Sequence, residues 1–174
     1  RVLFRSVSWA AIGARTTESQ THRQMASGLS MPVGFKNATD GSLQTALDAM
    51  VSARAAHAFV GIDIDGRTSI VKTSGNSDVH LVLRGGGGKA NYSKADLAYT
   101  KALLEAPAGR RHIMIDCSHG NSNKNFLNQP RVFDEVTAQF TGGEASILGL
   151  MLESFLVEGK QNLDKAKSPA ELLY

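Results

Sequence analysis

The chain has one cysteine, no apolar run of membrane-spanning length and almost no excess of either charge. Each shortage excludes something. The single Cys117 rules out a disulfide within the chain and agrees with a reducing, cytoplasmic setting. No stretch approaches the roughly 20 apolar residues of a transmembrane helix, so no membrane partner is expected. Against 16 acidic residues stand 19 lysines and arginines, and the net charge of +3 is too mild and dispersed for a nucleic-acid footprint. A site for small anions is compatible with it. The opening RVLFRS leads into no long apolar stretch, so no signal peptide is read there. Arg1 is not an initiator and SPAELLY stops without a tail, so a piece of a longer protein is expected. What remains is ordinary for a globular domain: 174 residues, 42% hydrophobic and 20% charged, enough for one core.

Residues His112 to Lys124, HIMIDCSHGNSNK, carry the most information. The apolar run Ile113-Met114-Ile115 breaks off into Asp116, Cys117, Ser118 and His119, then Gly120 and a polar loop. A buried strand looks like this when its carboxyl end opens into a site. Four other segments end the same way, with an ionisable residue just past an apolar run. Ser8 to Ile12 leads into Gly13-Ala14-Arg15. Thr17, with Gln20 three residues on, predicts a capping box for a helix ending near Gly28. Pro32 to Phe35 ends in Lys36-Asn37. A helix follows from about Ser42, with Leu43, Ala46, Leu47, Met50 and Val51 at helical spacing. Val79 to Leu83 ends in Arg84 and Gly85 to Gly88. Ser93 predicts the cap of a helix that stops before Pro107. Pro130 suits the first turn of a helix bearing Val132, Phe133, Val136 and Phe140, closed by Gly142-Gly143. Ser146 to Leu152 is the fifth run and ends in Glu153.

The markers Arg15, Lys36, Arg84, His119 and Glu153 are spaced by 21, 48, 35 and 34 residues. A (β/α) barrel averages about 30 residues per unit, from roughly 250 over eight. The long gap has a local cause. Phe59 to Ile64 and Thr68 to Lys72 flank Asp65-Gly66, a hairpin-turn signal, so an inserted β-hairpin is predicted over 59–72. Strands alternating with helices imply a parallel sheet. The prediction is therefore an α/β fold, an incomplete TIM barrel of five units forming one domain over 1–174. A doubly wound open sheet is the alternative.

Each marker has a plainer reading. A lone Arg or Lys after a strand is usually a solvated loop charge, but three of them at strand carboxyl ends are harder to dismiss, because barrel active sites gather there. Arg84 beside four glycines suggests backbone approaching an anion. The P-loop pattern is absent, since Lys89 is followed by Ala90. His119 alone would be a structural histidine and Glu153 alone a helix-start carboxylate. Together they read as two ligands of a metal site. Cys117, two residues from His119, is not excluded as a third if the strand continues. His22, His57, His80 and His112 show no pairing pattern and read as surface or structural.

GARTTESQ (Gly13 to Gln20), PVGFKNATDG (Pro32 to Gly41), LRGG (Leu83 to Gly86), NYS (Asn91 to Ser93), IDCSHGNSNK (Ile115 to Lys124) and LESFLVEG (Leu152 to Gly159) stand in one order along the chain. Together they resemble the type I 3-deoxy-D-arabino-heptulosonate 7-phosphate (DAHP) synthases, the aromatic-amino-acid-regulated class, from about Val7 to Tyr174. The resemblance implies a (β/α)8 barrel with an added hairpin, of which this chain is a C-terminal half with about strands 4–8. It implies the first step of the shikimate route, in which phosphoenolpyruvate condenses with erythrose 4-phosphate and phosphate is released. A Kdo8P-type synthase is an alternative that GARTTESQ and the hairpin argue against. A non-catalytic binding or regulatory fragment is another.

Carried over by position, the resemblance makes Arg15, Lys36 and Arg84 the cations that hold phosphoenolpyruvate, with the Ala14 amide assisting. A trianionic substrate needs several fixed cations, and arginine forks grip phosphate in pairs. His119 and Glu153 become two ligands of a divalent metal, with Mn, Fe and Zn all fitting such mixed donors. Cys117 falls out, because the family's metal cysteine lies N-terminal of this chain. Ser30, Phe59, Gly61 and Val71 match the lining of an aromatic amino acid effector pocket, and Gly61 with the local wording favours tyrosine. A homo-oligomer is expected of the full-length protein. RVLFRS does not resemble the family at its place, so residues 1–6 are expected to be non-native. The segments that carry the remaining metal ligands are not in the chain, so it is expected to be inactive alone.

Overall fold

The computed structural model describes residues 7–105, 112–156, 158, 159 and 168, so the reading of residues 1–6 lies outside the described residues. Among the described residues there are seven strands: β1 (Ala10–Ile12), β2 (Val33–Lys36), β3 (Ala58–Ile62), β4 (Thr68–Lys72), β5 (Val79–Leu83), β6 (Ile113–Asp116) and β7 (Ile147–Met151). Four helices among the described residues separate β1, β2, β5, β6 and β7: α1 (Gln20–Ser27), α2 (Gln44–Arg54), α3 (Lys94–Glu105) and α4 (Gln129–Thr141), the last entered by a 3₁₀ turn at Phe126–Asn128. Five strands make one sheet in the order β1-β2-β5-β6-β7, every neighbouring pair parallel. The order runs one way without turning back, unlike that of a doubly wound sheet. The chain is an α/β protein built on a parallel sheet.

The two faces of the sheet differ. Val33 and Phe35 of β2, Val79, Leu81 and Leu83 of β5, and Ile113 and Ile115 of β6 form one core. They pack with Ala46, Ala49, Met50 and Ala53 of α2, Leu97 and Leu104 of α3, and Val132 and Val136 of α4. Alternation along a strand sends the residues between them, Gly34, Lys36, His80, Val82, Met114 and Asp116, to the opposite face. That face is mixed polar and small. Trp9 Nε1 donates to His80 Nε2 at 3.0 Å, and a Cβ on Gly34 would stand 2.6 Å from Val82 Cγ2 and 3.0 Å from His80 Nε2. Burial lowers the pKa of His80, which keeps the ring neutral and fits its expected structural role.

Several local expectations shift. The N-cap of α1 is Ser19, whose side chain accepts from the His22 amide. Thr17 is fully buried instead, its hydroxyl donating to Lys36 O and Gly13 O. In α2, Ala49 and Ala53 are buried while Val51 is half exposed. In α4, Val132 and Val136 point inward, and Phe133 and Phe140 are exposed. Ser93 does cap α3, in a reciprocal box with Asp96: Ser93 N donates to Oδ2, and Asp96 N to the Ser93 hydroxyl. The inserted hairpin is β3 paired antiparallel with β4. Its turn is longer than two residues, and Asp63 organises it by accepting from the amides of Asp65 and Arg67.

Candidate functional site

At the carboxyl end of β6 the Asp116 carboxylate is fully buried and joins three side chains. Lys36 Nζ, from the end of β2, donates to Oδ2 at 2.6 Å. His119 Nδ1 lies 2.9 Å from the same oxygen, and Ser118 gives Oδ1 both its amide and its hydroxyl. Burial alone pushes the Asp116 carboxyl up, but hydrogen bonds from Lys36 and Ser118 and the Lys36 charge outweigh it and hold the pKa below its ordinary value. An ionised Asp116 that accepts at Nδ1 places the imidazole proton there. His119 Nε2 is left on the side of the ring away from Asp116.

His119 Nε2 faces Glu153 Oε1 at 3.5 Å. The strand has ended before His119, whose φ of 54° is left-handed, as are those of Asn123 and Lys124. Strand alternation therefore does not carry from Cys117 to His119. Cys117 turns into the core and is fully buried there, and burial pushes its thiol up to about 11. Among the described residues no three His, Cys, Asp or Glu side chains converge on a metal position. The pair itself suits a metal. Two ligands about 2.1 Å from a shared ion sit roughly this far apart, and a histidine with a carboxylate behind its other nitrogen is the usual metal-ligand arrangement.

Arg84, at the end of β5, is 8% exposed, and its guanidinium donates to Gly85 O at 3.3 Å. Three asparagines hold the loop. Asn37 Oδ1 accepts from Arg84 N and from Asn91 Nδ2, while Asn91 Oδ1 accepts from Gly85 N. Asn121 donates to Leu83 O and Asp116 O and accepts from Asn91 N. The amides of Gly85, Gly86, Gly87 and Lys89 are all used inside the protein, so at these positions the loop does not offer its backbone to an anion. It permits close packing: a Cβ on Gly85 would lie 2.6 Å from Gly120 C. A cleft of about 320 Å³ remains between Thr39, Arg84, the Gly86 to Gly88 loop, Gly120, Asn123 and Lys124.

The structure thus links Lys36 to His119 through Asp116, sets Glu153 beside His119, and ties Arg84 to the end of β2 through Asn37. Arg15 is exposed in the turn after β1 and Ala14 is partly buried there, the turn being fastened to Lys36 by Thr17. Phe59, Gly61 and Val71 share the half-buried face of the hairpin, with Phe59 directly opposite Val71. Ser30 is exposed two residues past the Gly28 cap of α1. Sequence reasoning gave no role to Asn37, Asn91, Asn121 or Gln129. Their signal was faint: a carboxamide beside a charged strand end reads as an ordinary loop residue.

A parallel α/β sheet with two cations and a His–Glu pair at its strand carboxyl ends defines a class, that of ligand-binding α/β domains whose sites lie on that edge. Known proteins narrow it. Residues 1–174 match the DAHP synthetase I family, and the chain belongs to that family. It is 56% identical over 162 residues to the Tyr-sensitive phospho-2-dehydro-3-deoxyheptonate aldolase of Escherichia coli (strain K12), covering 92% of this chain and 45% of that protein. With the phenylalanine-inhibited enzyme of that name from Saccharomyces cerevisiae it shares 50% over 171 residues, covering 96% of this chain and 46% of the other. The solved structure of the aldolase of that name from Francisella tularensis SCHU S4 matches with a TM-score of 0.84 at 44% identity, covering 93% of this chain and 47% of that one. The chain spans about half the length of these relatives.

Proposed function

We propose that this chain forms the C-terminal half of a 3-deoxy-7-phosphoheptulonate synthase, contributing about five of the eight strands of a (β/α)8 barrel in one domain over 1–174. The observation that carries the reading is the Asp116 carboxylate, which couples a buried lysine to a histidine that faces Glu153. The one-way strand order supports the barrel, because each connection steps to the next strand as barrel closure requires.

Arg15, Lys36 and Arg84, with the Ala14 amide, hold phosphoenolpyruvate, chiefly through its phosphate. Arg84 and Lys36 are largely desolvated, which strengthens their attraction for a bound anion. Asp116 fixes the Lys36 ammonium in place. His119 and Glu153 hold a divalent metal, which when bound polarises the aldehyde of erythrose 4-phosphate. The residues serve to orient phosphoenolpyruvate so that its enol carbon reaches that aldehyde; water then adds and phosphate departs. Ser30, Phe59, Gly61 and Val71 line an effector pocket, with tyrosine the favoured ligand and the Tyr-sensitive relatives as support. The full-length protein is a cytoplasmic homo-oligomer.

Heptulosonate formation by the full-length protein tests the reading. Wild type should form product, His119→Ala should lose it, and Lys36→Met should raise KM for phosphoenolpyruvate at least tenfold. The isolated 174-residue chain should form none. A full-length protein that makes no product overturns the proposal.

A further inference from the structure

The start of α4 braces both sides of the His119–Glu153 pair. Asn128 Nδ2 donates to Ser122 O at 3.0 Å, in the loop that carries His119. The next residue, Gln129, grips the backbone of Glu153 twice: Nε2 donates to Glu153 O at 2.8 Å, and Oε1 accepts from Glu153 N at 3.1 Å. Gln129 is only 6% exposed, whereas the Glu153 side chain is 64% exposed. An exposed glutamate just past a strand has many rotamers and a backbone free to fray. With both backbone groups clamped, only its side-chain torsions remain open. The Pro130 ring fixes the backbone torsion immediately after Gln129, and the Asn125 side chain caps the preceding turn, so the brace is stiff.

We infer that Gln129 is a positioning residue for the metal ligand Glu153, and that Asn128 and Gln129 together set the spacing between the His119 loop and the end of β7. The inference rests on the proposed metal role of His119 and Glu153. It adds that metal affinity depends on a neutral side chain that touches neither metal nor substrate.

The test titrates the metal-free full-length protein with Mn²⁺, reading free Mn²⁺ by its EPR signal. Gln129→Met removes both hydrogen bonds at nearly constant volume and should weaken Mn²⁺ binding about 10-fold or more, the range seen when outer-shell partners of metal ligands are lost. Gln129→Glu keeps the acceptor half, sets a carboxylate against Glu153 O, and should also weaken binding; it serves if the methionine variant does not fold. Val136→Ala, a core change in the same helix, should lower the melting temperature and leave Mn²⁺ affinity in place. His119→Ala should abolish binding. If His119→Ala abolishes binding while the Gln129 variants bind like wild type, the positioning role is wrong and the metal site stands. If His119→Ala binds Mn²⁺ normally, the metal reading fails and this inference with it. Equal loss of affinity in Val136→Ala and Gln129→Met also overturns it, since general loosening then accounts for both.

Discussion

Lys36 Nζ sits 2.6 Å from Asp116 Oδ2, two strands away across β5, and the pair is almost fully enclosed. Enclosure makes each partner depend on the other. Removing one leaves an uncompensated charge, which in buried pairs costs about 3–5 kcal/mol. Lys36→Met and Asp116→Leu should each destabilise the full-length protein by about that much, and the double variant by less than the sum. Denaturant unfolding of the four proteins measures the coupling. Additive losses would mean that the ion pair is not what holds these strand ends together.

Gly85 and Gly88 both have left-handed backbones, φ +69° and +77°, yet their surroundings differ. A Cβ at Gly85 meets backbone atoms of Gly120 and Asn121 at 2.6 and 2.7 Å, while one at Gly88 meets nothing within 4 Å. Gly88→Ala should cost only the left-handed penalty, about 1–2 kcal/mol. Gly85→Ala must also push the β5 loop away from the β6 loop, so it should lose several kcal/mol and disturb Arg84. Melting temperatures of the two variants check this, and similar values would contradict the packing account.

The marker positions were legible because strand, polar break and helix repeat along the chain, and a period-2 or apolar run predicts a buried strand well. The DG signal likewise announced the hairpin, though Asp63 lengthened its turn beyond what the dipeptide implies. What was hidden depended on long-range partners. Nothing local shows that Thr17 is needed by Lys36 rather than by its own helix, or that the glycines after Arg84 serve a neighbouring loop. The bland side of the metal question also hid in geometry: Cys117 looks available until the strand is seen to stop at Asp116.

Asn121 is 2% exposed and its amide group satisfies two carbonyls, Leu83 O and Asp116 O. Asn121→Asp has the same shape but cannot donate, and it sets a carboxylate against both oxygens. It should destabilise the protein by about 3 kcal/mol or more, mostly from unmet buried carbonyls and a buried charge. Asn121→Ala should cost less, about 2 kcal/mol. The order of the two variants in denaturant midpoint is the check.

Gly61 lies beside the Phe59–Val71 pair, and a Cβ there would come within 2.7 Å of Val71 Cγ2. A side chain at this position must displace Val71 or fill the space next to the Phe59 ring. Under the effector reading, Gly61→Ser in the full-length protein should weaken inhibition by tyrosine several-fold relative to phenylalanine. Inhibition curves for the two amino acids decide it, and an unchanged ratio removes Gly61 from the pocket.

Glu144, in the connection before β7, accepts from Lys101 Nζ at 2.7 Å and from both the amide and the hydroxyl of Ser146. The Lys101 hydrogen bond, then the Ser146 hydroxyl, pull its carboxyl from 4.5 to about 2. A folded pKa below the unfolded one means that the unfolded chain takes up the proton first as pH falls. The contribution of Glu144 is therefore complete above about pH 4.5 and is lost progressively between there and about pH 2. The pair lies near the surface, where water screens it, so its worth is about 1 kcal/mol or less. Glu144→Gln should consequently be less stable than wild type at about pH 6, and the gap should narrow below about pH 4.5 and close only below about pH 2. Thermal melts of both proteins across that range measure the gap, and one that stays constant with pH would show that Glu144 acts through packing rather than charge.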